Sequence, residues 1–124
     1  MREDCLFCKI VAGEIPSTAV AETDHAYAFR DINPAAPVHV LVVPKAHIAD
    51  SAADLQAVHG AALGEIFELA ATIAESEGLG GTYRMITNSG AGSGQSVFHL
   101  HFHLLGGWDR IGSAPKSLVD ESGG

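Results

Sequence analysis

Basic residues are scarce in this sequence: seven Lys plus Arg stand against fifteen Asp plus Glu, a formal net charge of -8. That balance works against binding long nucleic acid or an anionic membrane, while leaving room for a small anionic ligand held by local backbone donors. Cysteine is nearly absent. The two present, Cys5 and Cys8, sit too close together to cross-link distant parts of a fold, which excludes a secreted disulfide framework and leaves metal binding, redox chemistry or plain thiols. Long apolar runs are missing as well. Val38 to Pro44 is far too short to span a bilayer, and Met1-Arg2-Glu3-Asp4 lacks the layout of a secretory signal, so the expected location is the cytoplasm with no membrane partner.

What is present is enough for one core. Apolar residues make up 47% of the 124 positions and are spread along the chain, which suits a single compact domain without linker or internal repeat. Cys5 to Ala12 has apolar residues at helical spacing and is stopped by Gly13 and Pro16, predicting a short helix. Ala19 to Glu22 and Ala26 to Arg30 read as a hairpin turning at Asp24-His25, and Val38 to Val43 as a largely buried strand ending at Pro44. One long helix is expected from about Ala53 to Ser76, with Leu63, Ile66, Phe67, Ala70 and Ile73 on its inner face. Thr82 to Thr87 reads as a strand, then a loop with glycines at 90, 92 and 94, then a final strand from Val97 to Leu105. Mostly strands with one long crossover helix indicates α+β with an antiparallel sheet. Residues 108 to 124 are polar and small, an expected partly mobile tail after a domain over 1 to 107.

The chemistry concentrates in His99-Leu100-His101-Phe102-His103-Leu104-Leu105. Side chains alternate on a strand, so the three imidazoles project from one, solvent-side face, roughly 6 to 7 Å apart, while Leu100, Phe102 and Leu104 enter the core. Three histidines in register can bind a metal. Equally, one can attack an electrophile while its neighbours bind substrate and move protons. The glycine-rich loop just upstream lets backbone N–H groups approach a ligand and hold phosphate oxygens without added positive charge.

Gly94-Gln95-Ser96-Val97-Phe98 followed by His99 to Leu105 resembles the signature of the histidine triad superfamily, His-φ-His-φ-His-φ-φ with φ apolar. The likeness continues through Tyr83-Arg84-Met85, Asn88, Val42 to Ile48, Phe29 to Ile32 and Cys5 to Pro16, nearly all of the first 107 residues. Gly106-Gly107 stands where dinucleoside polyphosphate hydrolases of the superfamily usually have Pro-Arg, and this is similar to the histidine triad nucleotide-binding (Hint) branch. The resemblance implies an antiparallel sheet of about five strands with one long and one short helix, dimerising into a continuous sheet. It also implies a purine nucleoside phosphoramidate hydrolase, releasing AMP or GMP by nucleotidyl transfer to water.

Residue by residue, the resemblance makes His101 the nucleophile that forms a nucleotidyl-histidine, His103 a phosphate contact, Ser96 a helper in protonating the leaving amine, and His39 an orienting or relaying group. Asp31 would accept hydrogen bonds from the ribose hydroxyls, and Phe7, Ile10, Phe29 and Ile32 would enclose the base. Asn88, Gly94, Gln95 and Ser96 would line the phosphates. Read without the resemblance, those aromatic and aliphatic residues belong to the core, and His25 and His59 to the surface or to packing.

Cys5-Leu6-Phe7-Cys8 fits one edge of a tetrahedral zinc site. The resemblance supplies His47 and His99 as the remaining ligands of a structural zinc that is not needed for the chemistry. A thioredoxin-like redox pair is the rival, although no strand precedes this one. Two further functions stay open: a dinucleoside polyphosphate hydrolase or nucleotidyltransferase, and a nucleotide-binding regulatory module. The chain departs from animal Hint proteins after Gly107, since Trp108 comes early and no Trp-Pro-Pro-Gly segment follows.

Overall fold

The computed structural model describes residues 4–108. Two helices and five strands run in the order α1 (Leu6–Val11), β1 (Ala19–Glu22), β2 (Ala26–Arg30), β3 (Val38–Pro44), α2 (Gly60–Ser76), β4 (Tyr83–Ile86) and β5 (Phe102–Gly106). The strands form one antiparallel sheet in the order β1-β2-β3-β5-β4, the α+β arrangement expected.

Strand alternation divides the side chains between two layers. On one face Ala26, Ala28, Val40, Val42, Leu100, Phe102 and Leu104 pack against Ile66, Leu69, Ala70 and Ile73 of α2. On the other, Phe29, Leu41 and Val43 pack against Cys5, Phe7, Cys8 and Ile10 of the α1 segment. Fully burying an isoleucine such as Ile66 or Ile73 is worth about 2 to 3 kcal/mol, so the α2 face is the main apolar store of the fold.

The long helix starts later than its composition suggests. Ala52–Asp54 and Ala57–His59 are separate 3-10 turns, divided by Leu55 and Gln56 in extended conformation, and α2 begins only at Gly60. The Gln56 N–H donates to His59 Nδ1 at 2.9 Å, a local bond that closes the turn instead of propagating the helix. Phe67 belongs less to the inner face than expected: it is 46% exposed, touching Phe102 ring to ring at 5.2 Å, while Leu69 and Ala74 are buried. By length and composition Ala57–Ser76 could cross a membrane, a property hidden from the short apolar runs, yet its inner residues form the core under the sheet.

The last strand is also shorter. Residues 97–101 remain outside the ladder because their backbone groups bond elsewhere. The Leu100 N–H donates to the Ala49 carbonyl at 3.0 Å, Gln95 Nε2 to the Val97 carbonyl at 3.0 Å, and Thr87 Oγ1 to the His101 carbonyl at 2.7 Å. Alternation persists through this stretch, but the histidine face is not solvated. His99, His101 and His103 are at most 2% exposed, in the layer that α1 covers. The tail expected beyond Trp108 lies outside the described residues.

Candidate active site and metal centre

Every buried imidazole has a partner that decides which nitrogen carries its proton. His101 Nδ1 lies 2.7 Å from the His99 carbonyl oxygen, which can only accept. The proton therefore sits on Nδ1, and Nε2 presents a lone pair. The Phe7 ring stands edge-on to His101 with centroids 4.9 Å apart, fixing the orientation of the imidazole. His103 follows at 5.2 Å, ring to ring, and its Nδ1 meets His39 Nε2 at 2.9 Å. Asp31 Oδ2 lies 3.4 Å from the same His39 nitrogen.

A cavity of about 270 Å³ opens beside His101. Phe7, Ile10, Phe29, Asp31, Ile32 and Ser96, all singled out from the sequence, line it. Ile32 contributes from the rim, 91% exposed. Leu6, Pro16, Ser17, Arg30, Asn33, Leu41 and Val97 line it too; some lie within the segments that carry the resemblance, but none was singled out as a contact, because their residue types mark no ligand chemistry. A carboxylate at one side and aromatic and aliphatic walls elsewhere suit a planar heterocycle joined to a polyol.

The remaining phosphate candidates do not line this cavity. Asn88 lines a separate, open depression with Arg84 to Thr87. Gly94 adopts a φ of 110° and Gly90 one of 90°, conformations that favour glycine and let the loop turn tightly. Gln95 is buried with its amide already engaged: Nε2 donates to the Asp50 and Val97 carbonyls at 2.7 and 3.0 Å, and Oε1 accepts from the Gly90 N–H at 2.8 Å. Its side chain is a clamp for the loop. His25 is on the surface, where Nδ1 meets Glu65 Oε1 at 3.0 Å, and His59 closes the turn before α2.

A second cluster adjoins the first. The ligand atoms of Cys5, Cys8, His47 and His99 lie within 4.8 Å of one another. His99 Nδ1 is 3.1 Å from Cys5 Sγ and 3.5 Å from Cys8 Sγ, and His47 Nδ1 is 3.7 Å from Cys8 Sγ. The far nitrogens are anchored: His99 Nε2 donates to the Pro44 carbonyl at 2.8 Å and His47 Nε2 to Asp50 Oδ1 at 2.6 Å. Two thiols and two imidazoles, each imidazole held through its other nitrogen, fit a tetrahedral zinc ion and its outer shell. Burial pushes His99 down to about 4, keeping it neutral and ready to ligate, and burial raises the Cys5 thiol. A redox pair gains nothing from two converging histidines, so the cluster favours the metal reading of these cysteines.

The two sites share parts. Helix α1 carries Cys8 into one and Phe7 and Ile10 into the other, while His99 offers its ring to the cluster and its carbonyl to His101.

The family model for the HIT domain matches residues 12–109. The chain is 46% identical over 108 residues to a protein named purine nucleoside phosphoramidase from Escherichia coli, covering 86% of this chain and 90% of that one. It is 45% identical over 105 residues to a 14 kDa zinc-binding protein from Zea mays, covering 82% and 80%. Among solved structures, a HIT family hydrolase from Clostridium thermocellum superposes with a TM-score of 0.86 at 46% identity, covering 95% of this chain and all of that one.

Proposed function

This chain belongs to the HIT domain family, and from that premise we propose that it is a hydrolase of purine nucleoside phosphoramidates working through a nucleotidyl-histidine on His101. The observation that carries the reading is the orientation of His101: with Nδ1–H held by the His99 carbonyl, Nε2 is the nucleophile, beside a cavity lined by Asp31 and aromatic walls. The base lies between Phe7, Ile10, Phe29 and Ile32, and Asp31 accepts from the ribose hydroxyls. His101 Nε2 attacks the α-phosphorus. The P–N bond breaks as the N–P bond to histidine forms, and the leaving amine takes a proton with Ser96 positioned to deliver it. Positive charge that develops on the imidazole is stabilised through Nδ1–H by the His99 carbonyl. Water then attacks the same phosphorus as the bond to His101 Nε2 breaks and returns its electron pair to the ring; the proton that water gives up replaces the one delivered to the amine, and the nucleoside monophosphate leaves, so that two easier displacements replace one hard one.

Cys5, Cys8, His47 and His99 hold a structural zinc ion in this reading, supported by the donor set and by the similarity to a zinc-binding protein. The ion supplies cross-linking rather than Lewis acidity. The protein acts in the cytoplasm as a homodimer, with β4, at one edge of the sheet, and the half-exposed Phe67 on α2 offering the contact.

The test is hydrolysis of adenosine 5′-phosphoramidate by the wild type and His101→Ala side by side. A loss of at least about a thousandfold in kcat in the variant, with a wild-type melting profile, supports the assignment. Turnover retained by the variant removes His101 as nucleophile, and an inert wild type that cleaves dinucleoside polyphosphates shifts the substrate class.

A further inference from the structure

His39 reads in one way only. Its Nδ1 lies 2.9 Å from the backbone nitrogen of Ala35, and a backbone N–H can only donate, so Nδ1 presents a lone pair. The proton of the neutral ring is therefore on Nε2. That nitrogen faces His103 Nδ1 at 2.9 Å and a carboxylate oxygen of Asp31 at 3.4 Å, and the carboxylate can only accept. Both sides of the ring demand the same tautomer. A doubly protonated His39 would set two donors face to face at Ala35.

The assignment propagates. His103 Nδ1 accepts from His39, which places the proton of a neutral His103 on Nε2. His101, two residues earlier in the chain, has the reverse arrangement, with its proton on Nδ1 against the His99 carbonyl. Neighbouring imidazoles thus hold opposite tautomers: His101 offers a lone pair at Nε2, and His103 offers N–H at the same atom. The donor atoms of Asp31, His39 and His103 also lie within 4.8 Å of one another, but a protonated His39 Nε2 is not a metal ligand. The cluster is a hydrogen-bond chain.

We propose that the Ala35 backbone N–H sets the polarity of this chain, fixing the tautomer of His39 and through it that of His103, which is thereby held as a donor to the phosphoryl oxygens while His101 remains the nucleophile. Ala35 and His39 are positioning residues. The loop that presents the N–H is built to hold still. Pro34 and Pro37 bracket it, Asp31 Oδ1 accepts from the Asn33 N–H at 2.8 Å, and the Asp31 N–H donates to the His39 carbonyl at 3.1 Å. The tautomers themselves are independent of the substrate; only the role given to His103 rests on the proposed function.

The experiment replaces the Ala35 N–H by an ester oxygen, incorporating lactic acid at position 35 of the full-length, zinc-loaded protein. Two-dimensional ¹H–¹⁵N spectra of the imidazoles at mildly alkaline pH read the tautomers directly. In the wild type, protons are expected on Nδ1 of His101 and on Nε2 of His39 and His103. In the ester protein, His39 and His103 become tautomer mixtures, His101 stays as it was, and kcat falls roughly five- to tenfold with KM within about twofold, the scale of one lost hydrogen bond. A His39→Ala variant is expected to produce the same mixture at His103 and serves where the ester protein fails to fold. Wild-type His103 protonated on Nδ1, or tautomers at His39 and His103 that survive the ester, would overturn the proposal. A wild type with the expected tautomers that leaves phosphoramidates uncleaved defeats the function reading and spares this one.

Discussion

The two faces of the sheet are closed in opposite ways. Under α2 the burial is aliphatic: Val40, Val42, Leu100 and Leu104 meet Ile66, Leu69 and Ile73, and the 17-residue helix is seated by contacts that need no partner atoms. Under α1 the burial is mixed: Phe29, Leu41 and Val43 meet Phe7 and Ile10, and buried imidazoles and thiols share the layer. A helix of six residues, too short to persist alone, sets Phe7 edge-on to His99 and His101 and carries Cys8, while His39 and His103 are buried in the same layer. Each buried imidazole there is oriented by a named group, because an unsatisfied one would cost about 1 to 3 kcal/mol. The difference shows where a small fold can place chemistry. Stability comes from the face that is apolar throughout, and the reactive groups sit on the face whose closure depends on a few specific bonds.

Removing the metal should break the comparison most strongly. If zinc ties α1 to the sheet, chelation destabilises the protein by about 4 kcal/mol where free zinc stands a thousandfold above its Kd. Nucleotide binding weakens as well, since Phe7 and Ile10 leave with α1. Thermal melts with and without chelator and hydrogen exchange by segment test this: α1 loses protection while α2 keeps it. Equal loss in both helices would mean that the faces are one cooperative unit.

Truncation on the other face is the complement. Ile66→Ala removes a fully buried side chain and should cost about 2 to 5 kcal/mol. Below its melting point the variant should keep kcat/KM, and the penalty for chelation should add to that of the mutation, because the two sites share no partners. A fall in kcat/KM without unfolding would show that α2 packing reaches the site.

Acid tests whether α1 stays docked once the metal is gone: a metal-free protein whose α1 still covers His99 should respond to pH through that ring. Its pKa is depressed from 6.5 to about 4 by burial, so the folded state keeps the ring neutral while the unfolded state takes up a proton. Above pH 6.5 neither state is protonated and the stability is full. It falls as pH drops through the window down to about 4 and levels off below, a loss of about 3 kcal/mol. Denaturant titrations of the metal-free protein across that range measure it, and His99→Asn flattens the curve.

The contrast between the faces was only half legible in the sequence. Alternation assigned Leu100, Phe102 and Leu104 to the core and the histidines to the opposite side, and the hairpin strands β1 and β2 have the expected bounds. What alternation cannot report is the layer beyond. Only the resemblance, through a zinc site shared by Cys5, Cys8, His47 and His99, brings Cys5 to Ala12 to the histidines; alternation alone leaves toward solvent a face that is buried. Periodicity likewise survives where the ladder does not, which is why residues 97–101 read as strand although side chains take their carbonyls. Leu55 and Gln56 carry no breaker signal and still go extended, since the cost is met by the His59 bond. Pro16, Ser17 and Asn33 reach the cavity by loop geometry alone.

The smallest expected effect concerns a tie between the strands and the end of α2. Arg30 at the end of β2 grips Glu77, the residue capping α2, with Nη1 to Oε1 at 2.8 Å and Nη2 to Oε2 at 2.9 Å. The hydrogen bonds from Arg30 hold the Glu77 carboxyl below its ordinary range. Its stabilisation is therefore present at neutral pH and lost as pH falls through the depressed value. Arg30 is 39% exposed at the side chain, so water screens the pair, and Glu77→Gln should cost only about 0.5 to 1 kcal/mol. Arg30 also lines the cavity beside His101, which turns a minor bond into a probe of how far the faces communicate. If they are independent, Glu77→Gln lowers the melting temperature slightly and leaves KM for the nucleotide where it was. A rise in KM larger than the stability loss would show that the end of α2 helps to shape the nucleotide cavity.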